Sequence, residues 1–203
     1  MQAFRQVTGP AAPLLVANVD TDVIIRADLD STSPEVLGPH AFGALRFKAD
    51  GAEVPDFVLN REPFRHAPIL LAGLNFGCGS SRERAVWALL GVGIRCVVAP
   101  SFGGIFEANC CQNGLLPVVL PEGTIRKLAL ETEAGALITV DLEKRELTST
   151  TGTTLVFDVD EMRRQSLLHG RDDIEMTLLQ LETIDQWQAK DRAERPWVWR
   201  TDR

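Results

Sequence analysis

Hydrophobic and polar positions divide the chain into a middle part with apolar runs and a later part with alternating residues. In the middle part, apolar runs typical of buried strands fall at Pro68–Gly73, Cys96–Ala99 and Leu115–Leu120. Helical patterns fill the two gaps, over residues 80–92 and over Ser101–Gln112, where Ser101 is the expected N-cap. Strands that alternate with helices predict a parallel sheet covered by helices.

The flanking segments predict smaller elements. Pro13–Val19 is expected to be a strand, and the long stretch Asp28–Gly43, which contains prolines and glycines, a loop of the functional or mobile kind. Beyond residue 120, short runs joined by turns predict a β-meander and then two helices, at Leu137–Asp141, Glu146–Thr150, Thr154–Phe157, Asp160–His169 and Asp173–Ala189. We therefore expect one α/β domain over residues 1–203, with a peripheral tail at about residues 190–203.

Composition and charge narrow the function classes. The 203 residues carry a formal net charge of −7, which is unfavourable for general binding to nucleic acid or to a membrane surface. No apolar run approaches the roughly 20 residues of a membrane span, and the first residues lack a signal-peptide pattern. The expected compartment is the cytoplasm.

Four cysteines, at positions 78, 96, 110 and 111, lack the Cys-x-x-Cys spacing of a zinc site and do not indicate a disulfide framework. Free cysteines are usually small buried hydrophobic residues. The three histidines are scattered without metal-like spacing. We therefore predict that this chain binds no metal or cofactor by itself.

The stretch N-F-G-C-G-S-S-R-E-R, which begins at Asn75, allows two interpretations. Ser80 followed by Glu83 is a capping box, in which each side chain bonds an amide at the start of a helix. Alternatively, Ser81 and Arg82 occupy the first helical turn, where free amides and a guanidinium favour a bound carboxylate. A serine at such a place can remove a proton beside that carboxylate if it is strongly assisted.

A second polar cluster, N-V-D-T-D, spans residues 18–22. It is typical of an Asx-type turn, but its two carboxylates can instead orient a catalytic group or a guanidinium. If the following residues are helical, Arg26 lies four residues after Asp22 and can reach it.

Three segments together resemble the family of 3-isopropylmalate dehydratase small subunits, within the aconitase superfamily: N-V-D-T-D-V-I-I, G-L-N-F-G-C-G-S-S-R-E-R-A-V-W-A-L and A-P-S-F-G-G-I-F-E-A-N-C-C-Q-N-G-L-L-P-V. The resemblance implies an aconitase-like swivelling β/β/α domain, with a parallel α/β layer followed by a small β-meander and C-terminal helices. It also implies a separate large subunit that carries a 4Fe-4S cluster, without which this chain is inert. The implied reaction is the interconversion of 2- and 3-isopropylmalate in leucine biosynthesis.

The resemblance implies a role for each residue that matches the family's motifs. Ser80 is then the general base, and Ser81 and Arg82 bind a substrate carboxylate. Thr21 and Asp22 match the family's D-T-D turn, which lies at the substrate site and supports it, and both are expected among the substrate-binding residues.

Specificity is expected to lie in the loop Asp28 to Gly38, which matches a family segment that distinguishes substrates by their γ-substituent. Arg26 and Arg84 replace the family's proline and histidine, and Gly103-Gly104 departs from its Ala-Asp. These departures leave two alternatives open. One is a related hydro-lyase for another 2-hydroxy di- or tricarboxylate, such as dimethylmalate, citramalate or homoaconitate, and the other is a non-catalytic regulatory or interaction domain.

Overall fold

The computed structural model describes residues 1–29, 31–79 and 82–199. Three residues with expected functions, Asp30, Ser80 and Ser81, lie outside this part of the chain. The strands form two four-stranded sheets. Their bounds are β1 Gln6–Gly9, β2 Ala11–Leu14, β3 Ile69–Ala72, β4 Cys96–Ala99, β5 Leu116–Val119, β6 Ile138–Asp141, β7 Glu146–Ser149 and β8 Thr154–Val156.

Helices connect and cover these strands. Short 3-10 segments also occur in the connections. The α-helices are α1 Thr21–Ile24, α2 Pro34–Leu37, α3 Gly43–Arg46, α4 Glu83–Gly91, α5 Gly104–Asn113, α6 Glu122–Glu133, α7 Glu161–His169, α8 Asp173–Leu178 and α9 Leu181–Glu194. None of the helices in the described residues is both long and apolar enough to cross a membrane.

The first sheet is parallel, with strand order β2-β3-β4-β5, and confirms the predicted parallel layer. Its central strands β3 and β4 bury every residue. Leu70 and Val97 join a core beneath α4 and α5, whereas Ile69 and Cys96 point to the other face and join a core shared with α6 and the second sheet. Burial on both faces explains why these strands are continuous apolar runs.

The second sheet is antiparallel, with strand order β1-β6-β7-β8. Strands β6 to β8 are the predicted meander, and alternate residues such as Ile138 and Val140 face the core shared with the first sheet. Together the layers give a β/β/α arrangement, as expected. Strand β1 was missed, because its four residues show no distinctive alternation.

Several elements differ from the sequence interpretation. The strand expected over Pro13–Val19 is β2, which begins at Ala11 and ends at Leu14, before the polar turn. The long loop from Asp28 contains the short helix α2, and α6 was not assigned from the pattern at all. The helix expected over Asp173–Ala189 is two helices, because the backbone at Gln180 (φ −105°, ψ 14°) leaves the helical conformation between α8 and α9.

Candidate active site at the carboxyl edge of the parallel sheet

Three turns meet where the parallel strands β2, β3 and β4 end. The first follows Leu14, the second or central turn follows Ala72, and the third follows Ala99. The amide of Gly77 donates to the carbonyl of Val19 at 2.8 Å, which joins the first turn to the second. The amide of Phe76 donates to the carbonyl of Ser101 at 3.1 Å, and that of Gly103 to the carbonyl of Phe76 at 2.9 Å. The backbone ladder therefore continues beyond the strands, at the edge where open α/β sheets bind ligands.

Side chains reinforce the same three turns. The Asn75 amide N–H donates to Ser101 Oγ at 3.0 Å, and Asn75 Nδ2 donates to Asn18 Oδ1 at 2.9 Å. The expectation that Ser101 caps α5 is wrong, because this helix begins at Gly104 with Gly103 at the N-cap. The hydroxyl of Ser101 fixes the neighbouring turn instead. Helix α5 ends at Asn113, one residue beyond the predicted Gln112, and Gly114 adopts the left-handed conformation at its C-cap.

Two glycines make this close approach possible. Gly77 has φ +72°, and a Cβ placed on it would lie 2.2 Å from the ring of Phe106. A Cβ on Gly103 would lie 2.4 Å from the carbonyl oxygen of Gly77. Gly103 stands where the family pattern has alanine. Because glycine has no Cβ, the turn that contains Gly103 packs directly against the backbone of the central turn.

The capping-box interpretation of Ser80 and Glu83 does not fit the helix bounds. Helix α4 begins at Glu83, with Arg82 at the N-cap, so Glu83 is the first residue of the helix and not the third. Its carboxylate accepts from Asn113 Nδ2 at 2.8 Å, and Asn113 Oδ1 accepts from Trp87 Nε1 at 2.8 Å. Glu83 therefore joins α4 to the end of α5.

The N-V-D-T-D cluster combines both interpretations that its sequence allowed. Asp20 is the N-cap of α1, and its Oδ1 accepts from the amide of Val23 at 2.8 Å. Asp22 orients a guanidinium, because its Oδ1 lies 3.2 Å from Nη1 of Arg82. Thr21 lies between them with only 1% of its surface exposed. The turn after β2 thus holds the arginine that begins α4.

Arg26 does not reach Asp22. Helix α1 ends at Ile24, and Ile25 is extended (φ −148°, ψ 130°), so the spacing of one helical turn is lost. Arg26 instead bonds Asp28 through Nε and Nη2, at 3.1 and 2.5 Å. This hydrogen bond with Arg26 lowers the pKa of the Asp28 carboxyl group, but both side chains are more than half exposed.

Arg84 points towards the expected specificity loop. Its Nη1 donates to the carbonyl oxygen of Leu29 at 2.5 Å. The start of α4 therefore carries two arginines. Arg82, which was expected within the first helical turn, is the N-cap and faces the turn after β2, whereas Arg84 lies in the first turn and faces the loop following α1.

The described residues do not fit an iron–sulfur cluster. They contain no group of three or more His, Cys, Asp or Glu side chains that could hold a metal ion. Cys96 and Cys111 lie in the core shared by the two sheets, whereas Cys110 lies in the core beneath α4. Burial raises the pKa of all three thiols, that of Cys111 to about 11, which opposes the thiolate form that metals require.

Comparison with known proteins agrees with this fold. The family model for the aconitase C-terminal domain matches residues 1–123. The class defined by the fold and the three turns is therefore that of aconitase C-terminal domains.

Curated relatives define the family more narrowly. The 3-isopropylmalate dehydratase small subunit of Rhodospirillum centenum is 52% identical over 201 residues, which cover 98% of this chain and 99% of that protein. The small subunit of Brucella canis is 47% identical and covers 98% of this chain and 100% of that protein. The chain belongs to the family of 3-isopropylmalate dehydratase small subunits. Membership of a family of small subunits implies a large-subunit partner.

A solved structure extends the comparison to three dimensions. The crystal structure of 3-isopropylmalate dehydratase from Methanocaldococcus jannaschii superimposes with a TM-score of 0.64 at 28% identity. It covers 92% of this chain and 99% of the archaeal chain.

Sequence reasoning missed several residues that build the site. The roles of Asn75 and Ser101 between turns, and of Asn113 between helices, depend on partners 26 to 57 residues away in the chain. The one available signal was the polar side chain of Asn113 at a helix end, but its partner is set by helix packing. The carbonyl of Leu29 carries no side-chain signal.

Proposed function

We propose that this chain acts as the small subunit of a 3-isopropylmalate dehydratase, a hydro-lyase that interconverts 2- and 3-isopropylmalate in leucine biosynthesis. The observation that carries the proposal is the junction of two motifs, in which Asp22 of the D-T-D turn holds Arg82 at the start of α4. Both motifs lie at the carboxyl edge of the parallel sheet. The relatives that are 47–52% identical over almost the whole chain bear the same function in their names.

Ser80 is the proposed general base. Its sequence position supports the assignment, because it stands between Cys78, whose backbone pairs with Asp20, and Arg82, whose guanidinium contacts Asp22. In the reaction, the base takes a proton from the carbon beside a carboxylate, and the electron pair of that C–H bond forms a C=C bond as the hydroxyl group leaves. Adding water back with the opposite orientation exchanges the positions of hydroxyl and hydrogen and gives the isomer.

Substrate binding is assigned to the residues around this base. Ser81 and Arg82 are the proposed carboxylate ligands, since a guanidinium can hold a carboxylate through two parallel bonds. Asp22 fixes the orientation of Arg82 before substrate arrives. The burial of Thr21 favours a supporting role, in which it shapes the turn without touching substrate.

The partner is proposed to dock on the same edge. Exposed apolar side chains lie in the first two turns and in the helix that follows the third. Val16 in the first turn is 58% exposed, Leu74 in the second is 49% exposed, and Ile105 at the start of α5 is 63% exposed. We assign these three side chains, which we call the apolar rim, to contact with the large subunit. We also propose that the large subunit supplies a 4Fe-4S cluster, which on binding would provide the Lewis acid that helps the hydroxyl group to leave.

The proposal is tested with the complex reconstituted from this chain, a 3-isopropylmalate dehydratase large subunit and its cluster. Ser80→Ala should lower kcat by about three orders of magnitude or more, as expected for loss of a general base with its positioning. Arg82→Lys should mainly raise KM, because an ammonium cannot reproduce the guanidinium fork. Circular dichroism of the isolated variants checks that folding is unchanged.

Two results would contradict the assignment. If the unsubstituted complex failed to isomerise isopropylmalate, the proposed activity would be wrong. If Ser80→Ala kept full turnover and lost only about 1 kcal/mol of folding stability, the serine would be a structural residue.

A further inference from the structure

Arg84 joins two segments that are far apart in sequence. Its partly buried guanidinium donates to the backbone carbonyl of Leu29, 55 residues earlier in the chain. A hydrogen bond from a charged donor is about twice as strong as a neutral one. This contact therefore restrains the backbone where the loop Asp28 to Gly38 begins.

The other end of the same loop is held against the same helix. Helix α2 packs on α4, and a Cβ on Gly91 would lie 1.9 Å from the carbonyl oxygen of Pro34. A Cβ on Gly38 would lie 2.3 Å from the backbone of Gly91. Backbone contact of this kind leaves no room for adjustment. The loop is thus attached to α4 at its far end by packing and at its near end by Arg84.

We propose that Arg84 is a positioning residue for substrate specificity, which fixes the near end of the loop Asp28 to Gly38 at the substrate site and does not itself bind substrate. The proposal rests on the proposed function, because it assigns to this loop the fit of the substrate's isopropyl group.

The neighbouring arginines have different roles by the same reasoning. Arg82 faces Asp22 at the substrate side of α4. Arg26, two residues before the loop, pairs with Asp28 at its start, and both side chains are largely exposed, so this pair adds little restraint. Among the contacts between described residues, Arg84 is the arginine of these three that bonds the backbone of the loop from another element.

The experiment uses Arg84→Met, which keeps the length of the side chain and removes the donor, and Arg84→Lys, which restores a donor. The matched control is Arg95→Met, because Arg95 also donates to a backbone carbonyl, that of Ala3, at 3.3 Å and away from the site. Each variant is assayed in the reconstituted complex with 2-isopropylmalate and with malate, which has the same 2-hydroxy dicarboxylate backbone without the isopropyl group. In the isolated chain, the rate of tryptic cleavage at Arg26–Ala27 reports how firmly the near end is held.

Arg84→Met should lower the preference for isopropylmalate over malate in kcat/KM on the order of ten-fold, through KM and with kcat nearly unchanged. Cleavage at Arg26–Ala27 should accelerate by a similar factor. Arg84→Lys should recover part of both effects, and Arg95→Met should show neither.

Two other outcomes would overturn the proposal. A large fall in kcat with unchanged preference would make Arg84 part of the reacting site. An unchanged preference with normal kcat would show that the contact with Leu29 does not govern specificity. Failure of the proposed function is seen separately, as an inactive unsubstituted complex, whereas the cleavage assay still reports whether Arg84 holds the loop.

Discussion

The two sheets of this molecule have the same number of strands, but their polar side chains lie in different places. In the parallel sheet, β3 and β4 bury every residue, so polar groups are displaced to the turns at the strand ends. In the antiparallel sheet, buried and more exposed residues alternate along β6 and β7, and polar side chains are distributed over the outer face. A parallel sheet thus concentrates its polar chemistry at one edge, whereas an antiparallel sheet spreads it.

The bonding of the polar groups follows the same division. At the parallel edge, turns from different strands bond one another, as Gly77 bonds Val19 and Asn75 bonds Ser101. In the antiparallel half, many contacts are surface ion pairs, such as Arg145 with Glu161, which contribute little individually. The parallel edge should therefore be sensitive to small changes in shape, and the antiparallel half should tolerate them.

Gly77→Ala is expected to give the largest effect on stability. The added Cβ would meet the ring of Phe106 at a backbone conformation with φ +72°. Backbone strain and the clash together should lower the free energy of unfolding by about 3 kcal/mol. The measurement is equilibrium unfolding in urea, monitored by circular dichroism.

The control for Gly77→Ala lies in the antiparallel half. Gly152, in the turn between β7 and β8, also has positive φ (+96°), but a Cβ there would meet nothing within 4 Å. Gly152→Ala should therefore cost only the strain of the turn, about 1 kcal/mol. If both variants lost the same free energy of unfolding, the close contact between Gly77 and Phe106 would not contribute to stability.

The same division explains what could be predicted from the sequence. Continuous apolar runs identified β3, β4 and β5, and the motifs identified the resemblance and placed Asp22 and Arg82 at one site. The predicted contact of Arg26 with Asp22 was wrong, because helix α1 ends at Ile24, and where so short a helix ends depends on tertiary packing and not on residue spacing. Helix α6 was not assigned, although it buries Ile125 and Leu128 between the sheets. The contact of Arg84 with Leu29 joins segments 55 residues apart, and no local pattern reports such a distance.

Ile105→Asp should have an intermediate effect, confined to association. Ile105 belongs to the apolar rim and lies in the first turn of α5, where a carboxylate suits the helix dipole and should not disturb folding. Placing a charge in a desolvated contact should weaken binding to the large subunit by about 1–3 kcal/mol, or roughly ten- to a hundredfold. Isothermal titration calorimetry with the large subunit measures the change.

Val156→Asp is the matched control for the apolar rim. Val156 is even more exposed, at 73%, but lies on the edge strand β8 of the antiparallel sheet. This substitution should leave the affinity unchanged. If it weakened association as much as Ile105→Asp, the large subunit would contact the antiparallel half and the rim would lose its assignment.

The smallest expected effect is at Glu131, which joins α6 to the antiparallel hairpin. Its carboxylate accepts from the hydroxyls of Thr151 and Thr153 at 2.6 and 2.8 Å. Side-chain hydrogen bonds, with that of Ser149 the largest cause, lower the pKa of Glu131. Because the folded state then binds this proton more weakly than the unfolded state, the bonds contribute stability at neutral pH that is lost as the pH falls through the lowered pKa.

Glu131→Gln should therefore destabilise the chain at pH 7, by less than about 1 kcal/mol for a group that is only partly buried, and the difference should shrink in acid below the ordinary carboxyl pKa of about 4.3. Urea unfolding of both proteins across this pH range measures it. In a Thr151→Ala, Thr153→Val background two of the donors are gone, so the effect of Glu131→Gln and its pH dependence should both diminish. A constant difference at every pH would mean that the glutamate stabilises the hairpin by packing and not by its charge, and the antiparallel half would then resemble the parallel edge in depending on shape.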